Sequence, residues 1–375
     1  MIYLDNAATT FPKPDEVYAE LEQANRNAFN TGRGSYKCAR EASAIKEKVR
    51  QEILDLNRMN NGNVIYTSSA TEALNDIIFG IDIVEGDYIY VSPFEHNSII
   101  RPLEQLKKTK KINVEILSFD KDSWMPDFSK INDQFVMHKP AAIFLSQVSN
   151  VTGYIIPYEK IFEMAKKFDA INVLDASQGF GIIPIKNHIA INYVVFAGHK
   201  SLYASFGIAG FIKLKDDLLN TNIFGGTGSD TMNPNMPDNI PDKYEAGSPN
   251  IVGIRGLAAS IRWLKSQNIY EHEIELTQYL IDNLKKVKKV KLFLPPGEKN
   301  IFGIVSIAIE GYSSDEVGMI LDDEFDICVR TGYHCAPLVH DFIDSLVYNG
   351  TVRISISFFT TKKEIDLLIE ALNSL

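Results

Sequence analysis

Apolar runs of four to six residues alternate along this chain with segments whose apolar positions recur every three or four residues. A helical pattern starts at Pro14 and runs to residue 29, with the proline in the first turn, where a missing N–H is harmless. A glycine-rich loop at 30–35 precedes a second helix that sets Ala39, Ala42, Ile45, Val49 and Ile53 on one face. Residues 63–68 read as a strand, and Ser69-Ala70-Thr71 turns straight into a helix. Strands follow at 87–91, 112–119, 141–145, 170–174 and 193–196, with helices at 96–107 and 157–168. These strands are apolar throughout rather than alternating, the pattern of a mostly parallel sheet covered by helices on both faces.

Residues 224–250 break the rhythm with a long stretch rich in Gly, Pro, Asn and Asp. Helices at 251–266 and 269–286 come next. The remainder alternates strand 304–309, helix 314–321, strand 326–329, strand 352–357 and helix 362–372. The expectation is an α/β protein in three parts: an N-terminal segment 1–14, a large domain 15–255 and a smaller α/β domain 256–375. No internal repeat or low-complexity segment interrupts it.

Composition narrows the class. The 375 residues are 45% hydrophobic and 23% charged, as in soluble globular proteins. The net charge of −10 offers no basic face for nucleic acid. No apolar run approaches the ~20 residues that cross a bilayer. The start, MIYLDNAATT, lacks the basic and apolar regions of a signal peptide. Three cysteines, Cys38, Cys328 and Cys335, make no disulfide framework, so a reducing cytoplasm is expected.

In parallel sheets, ligands sit at the carboxyl ends of the strands. That rule singles out Ala70-Thr71, His96, Asn150, Asp175 to Gln178, and His199-Lys200. Lys200 leaves a buried strand through a tight Ala197-Gly198-His199 exit, followed by a loop with Gly207 and Gly210. Desolvation there would favour a neutral amine able to form a Schiff base; the alternative is a solvated loop lysine. Ser69-Ala70-Thr71 at a helix start suits a phosphate, or simply caps the helix. Asp175 suits a protonated pyridine nitrogen, or caps a turn. His96 could stack on a planar cofactor or carry a proton, or be structural. Asn150 could bond a ring hydroxyl, or belong to a turn.

The stretch 330–337, RTGYHCAP, reads as a polar loop presenting Cys335, with Arg330 and His334 near enough in sequence to favour a thiolate. His334, Cys335 and His340 match no compact zinc spacing. Cys328 and Cys38 read as structural. Arg353 lies among apolar residues and must be paired, either with a substrate carboxylate or with a protein acid.

The order of these motifs carries more than any one of them. LDNAATT at 4–10, TEALN at 71–75, EHN at 95–97, SNVTG at 149–153, DASQ at 175–178, GHK at 198–200, EAGSPN at 245–250 and RTGYHCA at 330–336 span nearly the whole chain. This resembles the class V aminotransferase-like enzymes of fold type I, which use pyridoxal 5'-phosphate (PLP), and within them the cysteine desulfurases and selenocysteine lyases. The short cysteine loop is similar to the group with a compact loop (group II).

The resemblance implies a large domain built on a seven-stranded type of sheet. Lys200 would carry PLP covalently and move protons, and Asp175 would pair with the pyridine nitrogen. Gln178 and Asn150 would lie near the ring hydroxyl, and His96 would stack on the ring. Ala70, Thr71 and His199 would hold the phosphate. Ser248 would reach the phosphate of a partner subunit in a homodimer. Arg353 and Asn150 would bind substrate; Arg33 and the Gly225-Gly226-Thr227 turn would approach the neighbouring site.

The implied reaction converts L-cysteine to L-alanine, with the sulfur held as a persulfide on Cys335 until an acceptor protein takes it. Selenocysteine lyase, a transamination or β-elimination, and a non-catalytic sulfur carrier or scaffold are the rivals. Three positions depart from the family pattern. Ala197 stands where many relatives have Ser, and Ser248 where Thr is usual. Tyr203-Ala204-Ser205-Phe206 replaces a loop containing Gly-Pro, which bears on the shape of the substrate pocket.

Overall fold

The computed structural model describes residues 1–31, 34–186, 188–229 and 232–375. At its centre is a seven-stranded sheet of β1 (Asn63–Thr67), β2 (Tyr88–Val91), β3 (Asn113–Ile116), β4 (Pro140–Ser146), β5 (Ile171–Asp175), β6 (Tyr193–Ala197) and β7 (Ala209–Lys213). Their spatial order is β1-β7-β6-β5-β4-β2-β3, and β7 alone runs against the others.

The continuous apolar strands follow from burial on both faces. In β6, Val194 and Phe196 join the core beneath the helix Ile251–Ser266, while Tyr193 and Val195 face the core beneath the helix Ala70–Gly80. β7 corrects the sequence reading, which placed Gly210 in a loop. A Cβ at Gly210 would collide with the Ile65 carbonyl oxygen and the Phe196 ring. The glycine therefore marks close strand packing rather than a turn.

A second sheet holds β8 (Val290–Phe293), β9 (Ile304–Ile309), β10 (Arg330–Gly332) and β11 (Thr351–Ser355), in the order β10-β11-β9-β8, all antiparallel. It packs around its own core with the helices Ile269–Leu284, Ser314–Phe325 and Lys362–Ser374. The helix Ile251–Ser266 is continuous and lies on the helices Asp15–Arg26 and Lys37–Leu56. The expected boundary at 255/256 falls inside it. The helices Phe128–Met137 and Pro337–Phe342 and the strands β8 and β10 have no counterpart in the expected pattern.

The N-terminal segment stitches the two parts together. Ile2–Tyr3 pairs in parallel with Ile327–Cys328 of the small domain. Farther along, Thr10 N donates to the His199 carbonyl of the large domain at 3.0 Å. Among the described residues, no helix is long and apolar enough to cross a membrane.

Candidate active site

The parallel strands end on one edge of the sheet, and a cavity opens there. Ala70 and Thr71 follow β1, His96 follows β2, Asp175 ends β5, and His199 and Lys200 follow β6; all line it, with Asn150 and Gln178. Residues scattered over 130 positions are therefore neighbours because of the sheet register alone, in which Ser146 lies opposite Asp175, and Asp175 opposite Val195.

Lys200 lines this cavity, and burial lowers its pKa to about 8. Asp175 acts in the opposite sense, while Arg353 and Arg330 reinforce the lowering. A large fraction of a neutral amine near pH 8 is what a Schiff-base lysine requires. Asp175 Oδ1 accepts from Ser177 N at 3.0 Å and Ser177 Oγ at 2.5 Å. These bonds fix the carboxylate with its edge to the cavity.

His96 is the N-cap of the helix Asn97–Lys110. Ser98 N donates to its Nδ1 at 3.0 Å, which puts the ring proton on Nε2. Burial, with Lys200, Arg330 and Arg353 nearby, lowers its pKa to about 3, so the ring is neutral. His199 is also held neutral, at about 4, by burial and by Lys200 and Lys13. Its ring stacks on Phe206 with centroids 4.6 Å apart. Its buried Nδ1 has no partner among the described residues.

The helix Ala70–Gly80 explains the local anion site. Ser69 Oγ takes the Glu72 amide at 3.1 Å and Ser69 O takes the Ala73 amide at 3.1 Å. The amides of Ala70 and Thr71, in the first turn at the positive end of the helix, have no intrahelical acceptor and belong to residues that line the cavity. Two free amides and an orphaned imidazole nitrogen make a phosphate cradle. A buried amine, a fixed carboxylate and a neutral imidazole surround the space beside it. The donor set thus fits a phosphorylated pyridine aldehyde.

Cys335 lies beside the cavity, on a loop bonded to Asn150 of its lining. It is exposed, and Arg330 Nη2 is 3.4 Å from its Sγ. Both His334 and Cys335 adopt left-handed backbone, φ 47° and 57°. The large domain holds them there: Asn97 N donates to Cys335 O and Asn150 Nδ2 donates to His334 O, each at 2.7 Å. One expectation needs correcting. The His334 ring is buried against Thr351, with Nε2 2.8 Å from its Oγ1, and burial holds it neutral. It supplies no positive charge to the thiol; Arg330 is the cation in contact with it, and Lys200 and Arg353 act on it from farther away.

Arg353, only 1% exposed, answers the question of pairing within the protein. Its Nη2 meets Asp5 Oδ1 at 2.6 Å and its Nη1 donates to Asn150 O at 2.9 Å, while the buried Nε has no partner among the described residues. Gln178 Nε2 donates to Ala7 O at 3.0 Å. Ser248 is exposed and lines a second groove with Thr67, Ser68, Gly226 and Thr227, away from Lys200. Its segment is anchored by Glu245, which takes Arg50 Nη2 at 2.7 Å and Tyr66 N at 2.8 Å. Arg33 lies outside the described residues. Asp5 and Ser98, whose bonds orient the site, were missed, and Ser177 was singled out without a role; Asp5 stands inside a motif that the sequence itself displays.

The chain belongs to the class-V aminotransferase family, whose model matches residues 2–368. Members of that family use PLP. Within it, the chain is 30% identical over its whole length to a probable cysteine desulfurase of Aeropyrum pernix, covering 94% of that protein. It is 28% identical, with the same coverage, to a probable cysteine desulfurase of Methanothermobacter thermautotrophicus. It superposes on the apo structure of a cysteine desulfurase from Thermococcus onnurineus NA1 with a TM-score of 0.88 at 26% identity, over 100% of this chain and 94% of that one.

Proposed function

We propose that this protein is a PLP-dependent cysteine desulfurase, converting L-cysteine to L-alanine and capturing the sulfur on Cys335. The observation that carries the reading is an exposed thiol 3.4 Å from a guanidinium, on a loop bonded to Asn150 of the cavity that Lys200 lines. PLP, when bound, supplies an electron sink for a carbanion at the substrate Cα.

The chain's own residues do the rest. Asp175 would accept the pyridine N–H, His96 would cover the ring, and Ala70 N, Thr71 N and His199 would take the phosphate. Asn150 and Gln178 would stand at the ring hydroxyl. Lys200 would hold the cofactor covalently and, once free, take the Cα proton and return protons to carbon. Arg353 would bind the substrate carboxylate through its unpartnered Nε edge. The Cys335 sulfur, held against Arg330, would attack the substrate sulfur as a thiolate: an S–S bond forms, the C–S bond breaks, and its electron pair goes to carbon. L-Alanine and a Cys335 persulfide result, and a thiol acceptor removes the outer sulfur.

A homodimer that shares its sites completes the proposal, with Ser248 and Arg33 facing the partner's cavity. Support comes from Phe206, Phe224 and Met232, which are 65%, 74% and 93% exposed; Phe224 neighbours Ile223 and Gly226 of the Ser248 groove. Three free cysteines favour the reducing cytoplasm as its location.

The test is alanine release from L-cysteine with a reductant present. Wild type should form many equivalents of alanine, and Cys335→Ala should keep its bound cofactor yet form no persulfide. Pyruvate and ammonia in place of alanine would mean β-elimination, and normal desulfuration by Cys335→Ala would remove the thiol from its role. Undiminished turnover of selenocysteine alone by that variant would favour the lyase.

A further inference from the structure

Tyr203 occupies a position where it should not be comfortable. It lies three residues beyond Lys200 with φ 55°, in the left-handed region that favours glycine. Its side chain is nevertheless among the largest that are fully buried. The ring packs against Trp263 at 5.0 Å and Phe359 at 6.1 Å between centroids. The phenol is satisfied twice: it donates to Glu273 Oε1 at 2.6 Å and accepts from Phe358 N at 2.7 Å.

Those partners belong to the small domain. Glu273 sits on the helix Ile269–Leu284, and Phe358 lies five residues after Arg353, just beyond β11. His272 Nε2 holds the Phe358 carbonyl from the same helix at 3.1 Å. On the other side, Tyr203 belongs to the lysine turn. Its amide donates to Lys200 O and the Ala204 amide to Gly198 O, each at 2.8 Å. The Leu202 carbonyl accepts from Ser260 Oγ. Backbone strain of this kind persists only where surrounding contacts over-determine it.

We propose that Tyr203 is a positioning residue: its phenol ties the turn that presents Lys200 to the small-domain chain that presents Arg353, and so sets the pose of the lysine amine. The inference rests on the reading of Lys200 as the cofactor lysine. Arg353 already acts on Lys200 electrostatically, lowering its pKa. Slack in the tie would let the two cations separate. It would also misalign the amine by fractions of an ångström, and displacements of that order cost up to about 10²-fold in rate.

The experiment compares wild-type holoenzyme with Tyr203→Phe and Glu273→Gln. The readouts are kcat and KM for L-cysteine per bound cofactor, and the pH midpoint of the visible band of the lysine-bound cofactor. Tyr203→Phe should bind cofactor fully, lose roughly 10- to 100-fold in kcat with a smaller change in KM, and move the band midpoint upward. Glu273→Gln keeps an amide oxygen for the phenol and should stay near wild type in both readouts. If Tyr203→Phe does not fold, Glu273→Leu, which takes away the phenol's acceptor, should move the midpoint the same way.

A variant that melts earlier but shows wild-type kcat, KM and midpoint would overturn the proposal, because a merely structural tyrosine behaves so. The wild-type band tests the role of Lys200, and the displacement of the variant band tests the tie. A wild type that shows the band but does not desulfurate would sink the proposed reaction and leave Tyr203 to be judged by the midpoint.

Discussion

Arg330 and Arg353 face each other across the antiparallel pair β10 and β11, in register. They divide the labour. Arg353 is buried on Asp5, whereas Arg330 is half-buried and spends its guanidinium on the Cys335 thiol. Replacing Arg330 with Leu is expected to slow alkylation of Cys335 by iodoacetamide several-fold at neutral pH, with Arg330→Lys recovering part of the rate. Equal rates in wild type and Arg330→Leu, measured by mass spectrometry of the modified peptide, would contradict the role. At this scale the sequence was informative wherever a residue ends an apolar strand. Lys200, Asp175 and His96 could be selected for that reason alone. The partner of Arg353 could not: Asp5 is 348 positions away, and only the folded chain brings it near. His334 misled for the converse reason, since adjacency to Cys335 in sequence says nothing about which way a ring points.

The N-terminal segment is the element that holds the lysine turn from outside. The His199 carbonyl accepts from Thr10 N at 3.0 Å, Thr9 Oγ1 at 3.0 Å and Lys13 Nζ at 2.9 Å. Lys13 has Thr10 Oγ1 at 2.7 Å as well, but no carboxylate partner among the described residues, and burial lowers its pKa to about 7. The sign of its effect on stability follows. A lysine whose folded pKa is depressed from its ordinary 10.5 weighs least against the folded state above that value, and the cost grows as pH falls toward about 7. Wild type should therefore gain stability over Lys13→Met as pH rises from about 7 to 10.5, read as the difference in urea midpoints at pH 6, 8 and 10. Parallel midpoints would show that the amine titrates alike in the folded and unfolded chain, with no lowering by burial. Element by element, buried parallel strands were legible because both faces are apolar. β7 was not, because Gly207 and Gly210 imitate a loop, and the helix Phe128–Met137 was not, because it offers only two fully buried anchors, Ile131 and Phe135.

For the molecule as a whole, the parts are linked more tightly than two domains joined by a hinge. Residues 1–14 pair with both, the helix Ile251–Ser266 spans the expected boundary, and Tyr203 bonds across it. The exposed Phe206, Phe224 and Met232 remain to be covered. Equilibrium sedimentation of the holoprotein is expected to give twice the chain mass of 42.1 kDa. A monomer that binds cofactor stoichiometrically would remove Ser248 from the phosphate site. The sequence could order the motifs from end to end, but not this mutual tethering, which depends on contacts between distant segments.

The clasp on Cys335 has a further consequence. Two consecutive left-handed residues, each costing roughly 1–2 kcal/mol, are kept in place by amides of the opposite domain. Such a mount has no reach. On the proposed reaction, sulfur captured on Cys335 would not be ferried outward on a swinging arm but would have to be collected where it was made. A collector of that sulfur would have to come to Cys335 itself, which stands exposed on its fixed loop.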